Sequence, residues 1–343
     1  MSPDISGSPL WLSICIPTFN RPMQFERMLQ SILPQIMPSV EIVIRDDSEN
    51  LKTKEVVHRL LEKKNIKYRY FSGPRIGVDS AAIFLLEKAE GRYIWWFSDD
   101  DTICPGVLQD LWAIISKGNY STIWANFSHG QDGLLAINRE SGTFSTPDEV
   151  LNVLGTNVGL ISTQIMYRER ARQAIDFGMN HIHGFSFAST AIFLKTASDG
   201  GNNFFYKGPA LRCNPTEIDE IKKITTKNGF IQNDGFKVYG EYFRSLIVDL
   251  PQQFTTKAKE HMLSRNFSSL WRGMLVGWVG GWDTPKGKRI TMLKLYWKYH
   301  ECWIALLLFS IPLPVLRALY PCYKTFYSHR KFIFFERLSS FFK

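Results

Sequence analysis

Tyr93 to Asp101 reads YIWWFSDDD, five apolar residues running without a break into a serine and three aspartates. A short, continuous apolar run rich in aromatic and β-branched residues reads as a strand buried on both faces, the kind found in helix-covered parallel sheets. In open sheets of that kind ligands bind outside the carboxyl ends of the strands. The stretch therefore predicts an α/β fold with an acidic site where this strand stops.

The flanking sequence supports that reading. Upstream, Leu12–Pro17 (LSICIP), Val40–Ile44 (VEIVI) and Lys67–Phe71 read as strands. Between them, 23–33 (apolar at Phe25, Met28, Leu29 and Ile32), 52–64 and 79–89 read as helices, the last closed by Gly91. This β-α-β-α-β-α-β order predicts a Rossmann-like, mostly parallel sheet flanked by helices. The second strand ends in Asp46-Asp47-Ser48, so both acidic motifs fall at strand ends. Downstream, a helix is expected from Pro105 to Ile115, a strand at 121–127 and a loop at 198–203 (SDGGNN).

The 343 residues are 45% hydrophobic and 21% charged, enough for a large core and against a disordered or fibrous chain. Lys and Arg outnumber Asp and Glu 41 to 32, a net +9 that points to an anionic partner. Much of that excess lies beside an apolar C-terminal segment and no nucleic-acid-binding motif is present, so nucleic acid is set aside. Five scattered cysteines without a Cys-x-x-Cys pair argue against a disulfide framework or zinc knuckle and fit a reducing compartment. Residues 1–11 lack a basic start followed by an apolar stretch, so no secretory signal is expected there.

Three adjacent carboxylates repel by roughly 1 kcal/mol or more per close pair, and a bound cation removes that repulsion. A divalent ion held by one or two carboxylates, its other positions given to phosphate oxygens and water, would neutralise a nucleoside diphosphate. Asp99, Asp100 and Asp101 also suit a solvated turn and N-cap ahead of Pro105. The second strand-terminal pair, Asp46 and Asp47, favours the site.

The segments IPTFNRP (16–22), EIVIRDDSEN (41–50) and EGRYIWWFSDDDTICPGVL (90–108) resemble the inverting glycosyltransferases of family 2, which have the GT-A fold. The SDDD form is most similar to the abequosyltransferase-like subgroup of O-antigen synthesis. The resemblance implies a metal-dependent glycosyltransferase using Mg²⁺ or Mn²⁺ and a nucleoside diphosphate sugar, with a deoxyhexose as the expected sugar. It places Pro17, Thr18, Phe19, Asn20 and Arg21 on the loop bordering the nucleobase, where Phe19 would stack. It puts Asp46 and Asp47 at the base, Arg75 and Gly77 on a loop beside the nucleotide, Asp99 near the ribose and metal, and Asp100 on the metal with Asp101 assisting. A surface or core role for the Phe19 ring remains open.

Inversion needs a general base to take the acceptor hydroxyl's proton. The resemblance expects an Asp before a helix, yet 180–194 (NHIHGFSFASTAIFL) holds no carboxylate. His183, His181, Glu217 and Asp219 are the candidates; histidine titrates near neutrality but is more often structural. A silent family member that binds a nucleotide sugar or scaffolds a membrane assembly is the alternative reading.

Three regions are expected: 1–220 as the catalytic domain, 221–295 as a helical acceptor-side region and 296–343 as an amphipathic membrane-association segment. Trp303–Tyr320 is 18 residues long and nearly all apolar, but Pro312 and Pro314 interrupt it and Arg317 lies inside it. Lys298, Lys324, Arg330, Lys331 and Arg337 flank it among aromatics, the composition of an interfacial anchor on an anionic leaflet. A polyprenyl-diphosphate-linked glycan acceptor and the cytoplasmic face of the bacterial inner membrane are the expected partner and place.

Overall fold

The computed structural model describes residues 10–62, 66–129, 134–184, 187–213, 235–280, 285 and 287–319. Strands β1 (Leu12–Thr18), β2 (Val40–Asp46), β3 (Lys67–Ser72) and β4 (Tyr93–Trp96) are connected by α1 (Pro22–Ile32), α2 (Lys52–Val57) and α3 (Val78–Lys88). There follow β5 (Thr102–Ile103), α4 (Val107–Lys117), β6 (Tyr120–His129), β7 (Gly142–Phe144), α5 (Pro147–Leu154), β8 (Gln164–Tyr167), α6 (Arg168–Gln173), α7 (Ile175–Met179), α8 (Phe187–Ser198) and β9 (Asn202–Cys213).

Helix α1 starts at Pro22, whose fixed φ suits a first turn, and buries Phe25, Met28, Leu29 and Ile32 along one face. In β4, Trp95 and Trp96 point to opposite faces and both are fully buried. Each indole finds a carbonyl, Trp95 at Ser162 O (2.7 Å) and Trp96 at Ala82 O (3.1 Å), so neither leaves an orphan N–H. The chain enters β4 past Gly91, whose amide donates to Ser13 Oγ at 2.8 Å. A Cβ there would lie 2.5 Å from the Ser13 nitrogen, so only glycine allows this approach.

The sheet runs β3-β2-β1-β4-β8-β6-β9-β5, with β7 paired to β9. The first four strands are parallel, as the sequence predicts. Beyond them β8 is antiparallel to both β4 and β6, and β9 is parallel to β6. The chain moves outward from β1 to β3 and then returns to the other side of β1 as β4. That reversal makes a switch point between β1 and β4, the place where open α/β sheets leave a crevice.

Boundaries differ in detail. The helix expected over 52–64 is α-helical to Val57 and continues as a π-helical turn from His58 to Glu62. Pro105 and Gly106 form a turn, Gly106 taking a left-handed φ of 82°, and α4 starts only at Val107. Asn202 and Asn203, read as loop, already belong to β9.

The chain divides into two compact units, residues 1–214 with 249–258, and residues 215–248 with 259–343. The second has its own apolar core, in which Phe267 stacks on Tyr296 (4.3 Å between centroids) beside Phe236, Trp271 and Phe309. Four of the cysteines, Cys15, Cys104, Cys213 and Cys302, are free thiols.

Candidate functional site

Thr18, the last residue of β1, joins the acidic motifs. Its carbonyl accepts the Asp47 amide (3.0 Å), and its hydroxyl donates to Asp99 Oδ2 (2.8 Å). The ends of β2 and β4 are thus tied to the same residue on the strand between them, on one edge of the sheet. Asn20 holds the following loop in the left-handed region (φ 55°), which asparagine tolerates better than most residues. Its amide donates to Ser48 Oγ (2.7 Å) and its Oδ1 accepts from Asn50 (3.0 Å), fastening this loop to the one after β2. Pro17 and Phe19 are partly buried, and the exposed Arg75 places its guanidinium 4.2 Å from the Phe19 ring centroid.

Asp46 and Asp47 are both buried and both engaged by the protein. Asp46 accepts from the Ser48 amide and from Tyr70 Oη. Asp47 accepts Arg45 Nε at 2.8 Å on one oxygen, and the amides of Ile76 (2.9 Å) and Gly77 (3.0 Å) on the other. It is the clasp that holds the 73–77 loop against β2, reinforced by Arg45 donating to Pro74 O.

The three consecutive aspartates have three environments. Asp99 is buried, and burial raises its carboxyl to about 6 against the opposing pull of Arg21. Asp100 is partly exposed. Arg21 Nη1 reaches Asp99 Oδ1 at 3.2 Å and Asp100 Oδ2 at 2.9 Å, so two carboxylates converge on one cationic nitrogen. Burial of the guanidinium would lower its pKa, but the two carboxylates outweigh that and raise it. Asp101 turns inward instead. It accepts from Ser162 Oγ (2.6 Å), and burial, then the charge of Asp100, pushes it up to about 8. The Cys213 thiol also bonds to Asp101, and burial followed by that carboxylate's charge raises the thiol. Ser162 Oγ further accepts the Ser98 amide (2.9 Å), so Ser162 and Asp101 brace the turn that carries Asp99 and Asp100.

Among the described residues, no three His, Cys, Asp or Glu side chains gather to hold a metal by themselves. A magnesium-like ion does not need three, since one or two carboxylates plus substrate phosphates and water complete its shell. Asp99 and Asp100 supply hard oxygen donors already aimed at a common cation, which fits Mg²⁺ or Mn²⁺.

The two histidines lie on the turn ahead of α8. Asp79, in the first turn of α3, accepts from the amides of His183 (3.1 Å), Gly184 (2.6 Å) and Ala188 (3.0 Å). Two residues before it, Gly77 is bonded to Asp47, so the His183 turn is fastened to the start of the helix that leaves the 73–77 loop. His183 is partly exposed, whereas His181 is buried against Phe177 with its Nε2 3.9 Å from Asp249. Burial lowers the His181 pKa, with Asp249 opposing. Glu217 and Asp219 lie outside the described residues.

Sequence reading missed Asp79, Ser162 and Cys213. Asp79 carried a usable signal, a carboxylate just after the Gly77 turn that opens a helix. Ser162 and Cys213 carried none, because they reach Asp101 from elements 60 and more residues away in the chain.

A mostly parallel α/β sheet with two acidic loops at the carboxyl ends of neighbouring strands has the layout of open sheets that take a ligand at their switch point. Residues 13–188, more than half of the chain, match the glycosyl transferase family 2 domain. The chain belongs to that family. It is 30% identical over 131 residues to the GalNAc(5)-diNAcBac-PP-undecaprenol beta-1,3-glucosyltransferase of Campylobacter jejuni, covering 36% of this chain and 40% of that one. It is 24% identical over 157 residues to the poly(ribitol-phosphate) beta-N-acetylglucosaminyltransferase TarS of Staphylococcus aureus, 45% of this chain and 26% of the relative. The match thus spans well under half the length of either relative. The structure of S. aureus TarS 1–349 in complex with UDP superposes with a TM-score of 0.57 at 14% identity, covering 82% of this chain and 78% of that one, a likeness of fold.

Proposed function

We propose that this chain is an inverting glycosyltransferase that moves a sugar from a nucleoside diphosphate donor to a polyprenyl-diphosphate-linked glycan, in bacterial surface polysaccharide synthesis. The observation that carries the reading is the convergence of Asp99 and Asp100 on one cationic nitrogen at the β1/β4 switch point. The Campylobacter relative, named for a lipid-linked substrate, supports the acceptor class, and TarS structures with UDP and UDP-GlcNAc support the donor class. The SDDD form supports a deoxyhexose donor and the abequosyltransferase-like subgroup.

In this reading Asp99 and Asp100 would hold Mg²⁺ or Mn²⁺. When bound, that ion neutralises the charge left on the departing nucleoside diphosphate. Phe19 and Arg75 frame the base, and Asp47 keeps the 73–77 loop closed over it. Arg21, whose guanidinium lies between Asp99 and Asp100, would donate to the phosphate oxygens of the donor. His183 takes the acceptor proton: it is the more exposed imidazole of the pair, on the turn ahead of α8, while His181 packs beneath it.

A second reading, donor binding without turnover, is favoured by the lack of any carboxylate in residues 180–186. Incubation with Mn²⁺ and a panel of sugar nucleotides separates the two. Metal-dependent release of nucleoside diphosphate from one donor is the expected result. Binding without release, even with lipid-linked acceptor added, would overturn the enzymatic reading.

A further inference from the structure

The second unit carries a helix that is apolar on both sides. In His300–Leu308 (HECWIALLL), Cys302 and Ala305 face the core and are fully buried, as is Phe309 just beyond. The opposite side is apolar as well: Trp303 is 55% exposed and Leu307 is 70% exposed, with Ile304 between them. A helix that is hydrophobic all round belongs in a core or against lipid, and here only one side has a core. The preceding helix, Arg289–Tyr296, repeats the pattern. It buries Met292 and Tyr296 and exposes Ile290 and Leu293, with Trp297 next in the same stripe. Trp303 Nε1 donates to Trp297 O (2.8 Å), so the two outward stripes adjoin.

Charge selects what covers this face. Between residues 285 and 319 the sequence has six Lys or Arg against the single acid Glu301, with Lys298 among the six paired to Glu260. Glu301 is turned inward to Trp271 and Arg272, while Lys294 is exposed on the same helix as Ile290. Apolar side chains, two tryptophans and a basic surround match the boundary of an anionic bilayer, where indoles sit at headgroup depth and lysines meet phosphates. Among the described residues no single helix is long and apolar enough to cross a membrane. His300–Leu308 and Leu313–Leu319 qualify only as a pair bent by 110°. The bend falls at Pro312, which cannot continue a helix ladder.

We propose that the outer face of residues 289–308, centred on Trp297, Trp303 and Leu307, docks the protein onto an anionic lipid surface, lying in the interface. This claim does not depend on the catalytic reading, since a silent family member would dock in the same way.

The test uses the full chain in flotation with vesicles of pure phosphatidylcholine and of phosphatidylcholine mixed with phosphatidylglycerol. Wild type is expected to float with the anionic vesicles and to lose that preference as salt is raised. Trp303→Ala with Leu307→Ala should lower partitioning by about tenfold or more. Lys294→Glu, a surface change that leaves the core untouched, should weaken binding to the anionic vesicles alone. Far-UV circular dichroism and the thermal unfolding midpoint serve as the folding control and should be unchanged in all variants. Failure to bind either vesicle, or variants that partition like wild type, would overturn the proposal. So would a stable wild-type dimer that the double variant dissociates, because the face would then belong to a second copy of the chain.

Discussion

Replacing Asp47 by alanine separates the roles this carboxylate can have. It is buried, and its three protein partners are the Arg45 guanidinium, itself only 9% exposed, and the amides of Ile76 and Gly77. Removing one partner of a buried ion pair costs about 3–5 kcal/mol, because the other charge is left uncompensated. The two freed amides sit on a loop that can move into water, so they add little to that figure. In a unit of about two hundred residues each kcal/mol lowers Tm by about 2–4 °C, so a fall of about 10 °C is expected by thermal unfolding. Arg45→Met in the same background removes the stranded charge and should recover a good part of the loss. If Asp47→Ala melts within about 1 °C of wild type, the carboxylate does not clasp the 73–77 loop and the site has been assembled wrongly.

Three further outcomes follow from the same geometry. Asp99 and Asp101 have raised pKa values, about 6 and about 8, so folding favours their protonated forms. Their contribution is complete below about pH 4, the ordinary aspartate value, and is lost as pH rises through 6 and 8; urea unfolding of Asp101→Asn should show a flatter decline from pH 6 to 9 than wild type, and an identical slope would refute the assignment. Asn20→Ala should cost about 1–2 kcal/mol more than Asn20→Gly in denaturant unfolding, since both lose the Asn50 contact but only alanine pays for the positive φ; equal losses would deny the left-handed loop. Gly91→Ala places a methyl against the Ser13 and Leu12 backbone and should cost about 2 kcal/mol or more, whereas a neutral outcome would mean β1 and β4 approach less closely.

Much of the first hundred residues was legible because local signals agreed with one another. Apolar runs at 12–17, 40–44 and 93–97, separated by helical spacing, predict parallel strands, and those strands are buried and parallel. The acidic motifs at strand ends could be placed on one edge of the sheet for the same reason. The antiparallel half was less legible, since β8 joins the sheet between β4 and β6 through pairings that no local pattern encodes. Within the site, residue type gave no hint that adjacent Asp100 and Asp101 would face opposite ways. That is settled by Ser162 and Cys213, which arrive from distant elements. The sequence reading put His183 ahead of His181 without a physical ground for the order. Their difference is one of burial, set by Phe177 and by the Asp79 clasp on the turn.

Calorimetric titration of the nucleoside diphosphate released in the donor panel into the wild-type chain and into Asp100→Asn, each with Mn²⁺ and with a chelator, probes the proposed nucleotide and cation site most directly. Wild type should bind with Mn²⁺ and lose about 10- to 100-fold in affinity without it, while the variant should bind weakly and equally in both conditions. Equal affinity of wild type with and without the ion, or an unchanged metal response in Asp100→Asn, would contradict the paired-carboxylate site.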